Sequence, residues 1–418
     1  MKLDLMKEQI ILVDGPARIE LVSGECEAVG ALLKSHDRIF IPKGKKIPIE
    51  GVTSSQINLS AEEGHVETIP YRTIPHSWDI LVEKILKERP KSIFVIGEMD
   101  TGKSFFTTYM GNRLFRAGLS TAILDCDTGQ SDIGPPGTFG LSYVKKPVAF
   151  LPQAPVDAMA FIGGHSPGMH FTVALSAFAR MTRNAFENSD VLLINTSGWV
   201  QSDGGRAYKI AKMELCPPGL VVLLQRTDEL EHLVKHIPEK NVFRLTVSKS
   251  ATFTSPDVRK SLREEVSRAY MSKAKLIEIS SFATMGAYYG TGKSVERPKG
   301  IGKEVVHIEK LSAWEGHLVV HKSDISGEAK AKVMAALPGK IFWVPCHHAV
   351  GALVGLLNQN GDCMGLGVIQ MLKWEKRIAE VWTPIPHQSL KNVSIIQFGS
   401  IRLTNDGFEA GFLPPGTI

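Results

Sequence analysis

Residues Gly97–Ser104, with the sequence GEMDTGKS, have the types and spacing of a phosphate-binding loop. An apolar β-type run from Ile93 to Ile96 precedes the loop, and a helix-like run from Ser104 to Ala117 follows it. In such a loop, backbone N–H groups hold phosphate oxygens, a lysine at the position of Lys103 bridges the β and γ phosphates, and the Ser104 hydroxyl ligates magnesium. The pattern predicts a site for a nucleoside triphosphate with Mg²⁺, the alternative being a simple glycine-rich turn.

Two carboxylates follow the next β-type run, Thr121 to Leu124. Asp125 stands at the end of this run, where folds with a phosphate-binding loop place a magnesium-directed carboxylate, and Asp127 comes two residues later. In an extended chain the two side chains point to the same side. One carboxylate can organise magnesium while the other accepts a proton from an attacking hydroxyl, although Asp-Thr-Gly is also ordinary turn composition.

The elements that position these residues alternate between strands and helices from about Trp78 onward, which predicts a doubly wound, mostly parallel sheet. The predicted strands are Ile93–Ile96, Thr121–Leu124, Val191–Ile194, Leu220–Leu224, Val242–Val247 and Leu276–Ile279. The predicted helices between them include Phe171–Glu187, Arg206–Leu215 and Pro256–Tyr270, the last with Ser255 as its N-cap.

Short β-type runs flank this region on both sides. They occur from Ile10 to about Thr68 and again from Val305 to Phe398, after the Pro/Gly/Lys-rich segment from Arg297 to Lys303. The prediction is an α/β protein of three domains: an N-terminal β-sandwich-like domain over residues 1–75, a central nucleotide-binding domain over residues 76–296 and a C-terminal β domain over residues 297–418.

Composition limits the class of protein. Hydrophobic residues make up 43% of the 418-residue chain and charged residues 22%, which predicts packed cores, and a net charge of +5 permits a polyanionic partner. No apolar run reaches the length of a membrane helix, and five scattered cysteines are typical of a reducing compartment, so a cytoplasmic location is expected. The spacing of Cys346, His347, His348 and Cys363 is poor for zinc ligation. The sequence therefore favours buried thiols at the two cysteines over a metal site.

The loop at Gly97–Ser104, the element Asp125-x-Asp127-x-Gly129-Gln130, and Asn195–Val200 (NTSGWV) together resemble the polynucleotide 5′-hydroxyl kinase family. That family includes the eukaryotic mRNA 3′-end cleavage-factor kinase subunit and its archaeal relatives. The resemblance extends to the flanking stretches 19–27 and 354–367 and so covers most of the chain. It implies a central P-loop NTPase domain with ATP and Mg²⁺ as cofactors, flanked by N-terminal and C-terminal β domains.

The resemblance also implies roles for individual residues. The implied nucleotide-binding residues are Gly97, Glu98, Met99, Asp100, Thr101, Gly102, Lys103, Ser104, Phe105 and Gln130, and the implied Mg²⁺ ligands are Ser104 and Asp125. The implied catalytic residues are Lys103, Asp127, Arg259 and Arg263, and the implied substrate-binding residues are Ser166, Gly168 and Trp199. Asp127 is the expected base for the 5′-hydroxyl.

Several of these residues have other interpretations. Trp199 stacks on a substrate base or, alternatively, is a core tryptophan at a strand exit. Ser166 and Gly168 form a clasp around the acceptor nucleotide or an ordinary helix-entry loop; family members commonly have Thr in place of Ser166. Arg259 and Arg263, four apart on one helix, are lid arginines over the γ phosphate or part of a salt-bridged surface.

The functional prediction is an ATP-dependent kinase that phosphorylates 5′-hydroxyl ends of single-stranded RNA, with DNA as a further acceptor and RNA-processing proteins as partners, and with no membrane contact. An ATP-binding scaffold subunit of an RNA-processing complex, with little turnover, is the alternative. A GTPase-like switch is disfavoured because no Asn-Lys-x-Asp element follows the later strands. The second Gly-Lys-Ser, at Gly292–Ser294, has Ala287 where the motif needs glycine and is not expected to bind phosphate.

Overall fold

The computed structural model describes residues 1–61, 66–248 and 253–418. The chain divides into two compact units. The first comprises residues 1–127, 140–157 and 178–253, and the second comprises residues 128–139, 158–177 and 254–418. None of the helices in the described ranges is both long enough and apolar enough to cross a membrane.

The first unit begins with two antiparallel sheets. Their strands are β1 Lys2–Leu5, β2 Ile10–Asp14, β3 Ala17–Ser23, β4 Cys26–Ala28, β5 Ala31–Leu33, β6 Arg38–Ile41, β7 Lys46–Gly51, β8 Ser55–Ala61 and β9 Val66–Ile69. One sheet has the order β1-β8-β3-β6 and the other β5-β4-β7-β2-β9. Alternating apolar residues such as Ile47 and Ile49 are fully buried, which is the pattern of strands with one face toward a core.

The central α/β region supplies the elements that carry the predicted nucleotide site. They are α1 His76–Glu88, β10 Ser92–Gly97, α2 Lys103–Arg116, β11 Thr121–Cys126, β12 Thr138–Tyr143, β13 Ala158–Phe161, α3 Phe171–Asn188, β14 Val191–Thr196, α4 Asp203–Leu215, β15 Leu220–Gln225, β16 Val242–Thr246 and α5 Pro256–Met271. The strand and helix predictions for this region are confirmed to within a few residues. Ser255 caps α5, because its side chain accepts a hydrogen bond from the Val258 N–H.

The central sheet runs in the order β12-β11-β14-β10-β15-β16. All neighbours from β11 to β16 are parallel, and β12 is antiparallel to β11. Every residue of β10, β11, β14 and β15 is buried, as expected for a parallel sheet covered on both faces. The carboxyl ends of these strands lie at one edge of the sheet, and the predicted chemical residues follow them.

The second unit contains most of the remaining strands. They are β17 Lys275–Ser280, β18 Ala283–Met285, β19 Lys293–Ser294, β20 Val305–Leu311, β21 Gly316–His321, β22 Lys340–Pro345, β23 Ala352–Leu357, β24 Cys363–Lys373, β25 Ile378–Thr383, β26 Ile395–Leu403 and β27 Glu409–Phe412, with helices α6 Gly327–Ala336 and α7 His387–Leu390. One sheet has the order β17-β25-β24-β23-β26-β18, with β27 paired to β26, and the other has the order β19-β20-β21-β22.

Two features of the second unit differ from the sequence prediction. The strand predicted at Leu276–Ile279 exists, but it pairs antiparallel with β25 and so belongs to a sheet of the second unit and not to the parallel sheet. Helix α6 was not predicted, although Ser326 caps it and alanines fill it. The short strand β19 pairs with β20 at Lys293–Ser294, and this is the conformation of the second Gly-Lys-Ser.

Candidate active site

The loop between β10 and α2 has the backbone that its sequence predicts. Asp100 and Gly102 both have positive φ angles, of 59° and 84°. A side chain at Gly97 would place its Cβ 2.4 Å from Thr101 Oγ1 and 2.9 Å from the Leu224 carbonyl oxygen, so only glycine fits where the strand leaves the sheet. The chain then enters α2 at Lys103, and the free N–H groups of the first helical turn are suited to an anion.

Lys103 is buried, with only 8% of its surface exposed. Its ammonium donates a hydrogen bond of 2.5 Å to the carbonyl oxygen of Glu98, and the Thr101 hydroxyl donates to the same oxygen at 3.0 Å. The cation therefore lies over the loop's own backbone. Ser104 and Phe105 follow in the first turn of α2, and the Phe105 ring lies 6.0 Å from that of Trp78.

Asp125 lies at the end of β11 and is fully buried. It stands in register with Asn195 of β14, which is in turn in register with Val95 of β10. Asn195 Nδ2 donates to Asp125 Oδ1 at 3.1 Å, and the Asp127 backbone N–H donates to the same oxygen at 3.1 Å. These contacts fix the Asp125 carboxylate against β14, the strand that lies between β11 and β10.

Asn195 is a site residue to which the sequence analysis gave no individual role. Its Oδ1 atom is buried and has no hydrogen-bond partner within the described ranges. A buried amide oxygen normally has a partner, and an unpartnered one beside a buried carboxylate suits a hard cation or its waters. The donor set of Asp125, Asn195 and Ser104 therefore fits Mg²⁺. A polar residue near the end of the otherwise apolar run Val191–Ile194 was the available signal.

The loop after β14 packs against the phosphate-binding loop. A Cβ atom on Gly198 would lie 2.5 to 2.8 Å from Met99 atoms, two of them in the backbone, so the two loops are in close contact at this point. Gln201 Nε2 also donates to Glu98 Oε1, and Arg226 Nη1 lies 3.5 Å from Glu98 Oε2. The loop that carries Trp199 is thus attached to the loop predicted to hold phosphate.

Trp199 is half-buried. Its indole Nε1 donates to Ser202 Oγ at 3.2 Å, and its ring lies 6.0 Å from the ring of Tyr208 at an interplanar angle of 32°. Gly205 leaves room for this side chain, because a Cβ there would lie 3.2 Å from the indole ring. The indole is therefore held in one orientation and keeps part of its surface accessible.

In the second unit, Ser166 and Gly168 form a tight turn before α3. Ser166 Oγ accepts a hydrogen bond of 3.4 Å from the Gly168 N–H and caps the short helical turn Pro167–Met169. His170, just after the turn, lies 2.9 Å from Ser400 Oγ through its Nε2, and burial lowers the pKa of His170. The predicted clasp is thus anchored to β26.

Gln130, Arg259 and Arg263 also belong to the second unit. Gln130 Nε2 donates to the carbonyl oxygens of Gly129 and Arg259, both at 3.2 Å. Arg263 Nε donates to Glu409 Oε1 at 2.7 Å, so the second predicted lid arginine is in an ion pair.

His165 lies 3.7 Å from the same Glu409 oxygen. Burial, and secondarily the Arg263 charge, lowers the pKa of His165 to about 4 in spite of Glu409. The imidazole is therefore neutral near pH 7.

Comparison with known proteins identifies relatives of the chain. Residues 97–273 match the family model of the mRNA cleavage and polyadenylation factor CLP1 P-loop. A polyribonucleotide 5′-hydroxyl-kinase of Pyrococcus abyssi is 30% identical, over 81% of this chain and 96% of that protein. One of Methanocaldococcus jannaschii is 26% identical, over 79% and 92%.

Among solved structures, that of the wild-type Clp1p–Pcf11p complex has a chain that aligns with a TM-score of 0.64. The alignment covers 96% of this chain and 97% of that one, at 14% sequence identity. This likeness establishes a shared fold.

Proposed function

The chain belongs to the polyribonucleotide 5′-hydroxyl-kinase family, and we propose that it transfers the γ phosphate of ATP to the 5′-hydroxyl of single-stranded RNA, with DNA as a further acceptor. One observation carries the proposal. The phosphate-binding loop, the buried Asp125 and the loop of Trp199 follow three neighbouring strands, and Gly198 packs directly on Met99. Groups for a nucleotide, a cation and an aromatic contact thus occur together on one sheet edge.

Binding of ATP falls to residues 97–105. The N–H groups of the loop and of the first turn of α2 hold phosphate oxygens, and Lys103 supplies a positive charge for the β and γ phosphates. Ser104, Asp125 and Asn195 would hold Mg²⁺, which when bound neutralises part of the phosphate charge. The buried carboxylate and the unpartnered amide oxygen of Asn195 support this assignment.

Asp127 acts as the general base. Its carboxylate accepts the proton of the 5′-hydroxyl while that oxygen bonds to the γ phosphorus, and the bond from this phosphorus to the bridging oxygen breaks to release ADP. Its backbone N–H is held by Asp125, which fixes the chain next to the carboxylate. The reaction otherwise needs alignment and charge stabilisation, because phosphoryl transfer requires little covalent help from the protein.

The remaining residues hold the acceptor and stabilise charge. Trp199 stacks on a base near the 5′ end, and Ser166 with Gly168 contacts the acceptor nucleotide. Arg259 stabilises the transferring group, Arg263 does so to a smaller extent because Glu409 pairs with it, and Gln130 contacts the phosphates. The proposal includes a central kinase domain over residues 76–296 between two β domains, a cytoplasmic location, and RNA-processing proteins as partners.

The decisive experiment is transfer of labelled γ phosphate from ATP to single-stranded RNA and DNA oligonucleotides with 5′-hydroxyl ends, in the presence of Mg²⁺. We expect labelling of RNA that is lost in the Lys103→Ala variant, and the same assay on DNA reports the sugar preference. Oligonucleotides that already carry a 5′ phosphate are the matched negative control. ATP binding without any labelling would overturn the kinase assignment in favour of an ATP-binding scaffold.

A further inference from the structure

Helix α4 carries two fully buried lysines. Lys209 is 1% exposed and Lys212 is 0% exposed, and the two lie one helical turn apart. Burial of an ammonium group is costly unless the protein supplies partners, so each lysine calls for an explanation. The proposed reaction uses neither of them.

Lys209 is bonded to the loop that follows β14. Its Nζ donates to the backbone carbonyl oxygen of Ser197 at 2.6 Å and lies 3.1 Å from the Ser197 hydroxyl oxygen. Ser197 is itself buried, and the next two residues are Gly198 and Trp199. The Lys209 amine therefore holds the backbone two residues before the aromatic residue.

Lys209 and Lys212 both lie near the Tyr208 ring, with Lys209 Nζ 6.0 Å from its centre, but their other neighbours differ. Lys212 Nζ lies 4.6 Å from the centre of the Tyr208 ring and 5.0 Å from that of Phe178. Aromatic faces stabilise a buried cation in this way. Lys212 thus matches Lys209 in residue type, helix and burial, and its neighbours are the Tyr208 and Phe178 rings and the Cys126 thiol.

The loop at Trp199 is fixed at several points. Lys209 holds Ser197, Gly198 rests on Met99, and the indole donates to Ser202 at the start of α4. Of these contacts, the one from Lys209 reaches the backbone from inside the protein, where burial lowers the pKa of this lysine well below its usual range. Without it, the carbonyl of Ser197 would be left buried without its donor, and the loop would have to rearrange to satisfy it.

We infer that Lys209 is a positioning residue for the acceptor: it holds the Ser197 carbonyl so that Trp199 presents its face to the terminal base of a single-stranded polynucleotide. The inference rests on the proposed function, in that Trp199 contacts the acceptor there. Lys209 touches neither ATP nor the acceptor in this role. Its effect passes through the backbone of residues 197–199.

The test compares Lys209→Met with Lys212→Met in the full chain, using kinetics and an RNA whose 5′-terminal base is 2-aminopurine. Stacking quenches this fluorophore, so quenching reports the Trp199 contact without any turnover. We expect Lys209→Met to raise the KM for RNA about tenfold and to remove most of the quenching, because loss of one base stack weakens binding by about 5- to 150-fold. The KM for ATP should change less than about twofold.

Lys212→Met is the matched control, since it also removes a buried lysine amine from α4. It should lower thermal stability but leave quenching and the KM for RNA within about twofold of wild type. Trp199→Ala should lose the quenching. The double variant Lys209→Met with Trp199→Ala should have the same quenching and the same KM for RNA as Trp199→Ala alone, because both changes remove the same contact. If Lys209→Met does not fold, Lys209→Leu, which also removes the donor, takes its place; Lys209→Gln, which keeps an N–H donor, should retain part of the quenching.

The result that overturns the inference is equal behaviour of the Lys209 and Lys212 variants in quenching and in KM for RNA, which would make Lys209 only a contributor to stability. Failure of the proposed function looks different. In that case the wild-type protein transfers no phosphate, or transfers it independently of Lys103.

Discussion

Arg263 Nε donates a 2.7 Å hydrogen bond to Glu409 Oε1, so the guanidinium is paired with a carboxylate of β27. The same β-hairpin contacts α5 at two further points. The Glu409 N–H donates to Glu264 at 3.1 Å, and the guanidinium carbon of Arg268 lies 4.8 Å from the centre of the Phe408 ring. The second half of α5 is thus fixed to the C-terminal hairpin, one turn beyond Arg259.

This pairing predicts unequal roles for the two lid arginines. Arg259→Ala should lower kcat by about a hundredfold or more, the effect of removing a charge that acts on the transferring phosphate. Arg263→Ala should lower kcat by less than about tenfold and reduce the free energy of unfolding by about 1–3 kcal/mol, because Glu409 loses its partner. Glu409→Gln should behave like Arg263→Ala. Equal losses of kcat in the two arginine variants would contradict the assignment.

Asp127→Asn should separate binding from chemistry. The variant keeps the backbone N–H that bonds to Asp125 but loses the carboxylate, so ATP affinity should stay within about twofold while kcat falls by about 10²- to 10⁴-fold. Equilibrium binding of ATP and steady-state transfer to RNA measure the two quantities. Asp127 is excluded as the base if the variant transfers phosphate at the wild-type rate.

Gly198→Ala should disturb both loops of the site. The new methyl group would lie 2.5 to 2.8 Å from Met99 atoms, so we expect a loss of about 1–3 kcal/mol in stability and weaker binding of ATP. Gly327→Ala is the control, because no atom lies within 4 Å of the added methyl at the start of α6. That change should be neutral or stabilise by less than about 1 kcal/mol. Unchanged ATP binding in Gly198→Ala would show that the two loops move independently.

Acid stability should depend on Asp79 of α1. Burial alone would raise the pKa of Asp79, but hydrogen bonds from Arg72, Tyr109 and Arg113 outweigh it and lower the pKa to about 2. Since the folded pKa lies below the ordinary value of about 3.9, this contribution to stability is complete above about pH 4 and is lost as the pH falls toward 2. Between pH 4 and 2 the free energy of unfolding, measured by denaturant titration, should fall more for the wild type than for Asp79→Asn. An equal fall in the two proteins would contradict the lowered pKa of Asp79.

The phosphate-binding loop and the strand before Asp125 were predictable from sequence because their signals are local. Glycine positions, a buried apolar run and a helix start lie within about a dozen residues, and each has one main physical interpretation. The N-cap at Ser255 followed from the same kind of signal. Helix α6 has comparable local signals in Ser326 and its alanines, and the sequence analysis missed them within a stretch whose other runs are β-type.

Sequence by itself determined that the chain has the motifs of a kinase that uses a phosphate-binding loop, because those residues act through local backbone geometry. Only the tertiary structure decided that β14 lies between β10 and β11, which brings Asn195 to Asp125. It also decided that Lys209 donates a hydrogen bond to the Ser197 carbonyl oxygen and that Glu409 pairs with Arg263. The order of strands and the hydrogen bonds between residues twelve to 146 positions apart depend on how whole elements pack, and no local pattern encodes that.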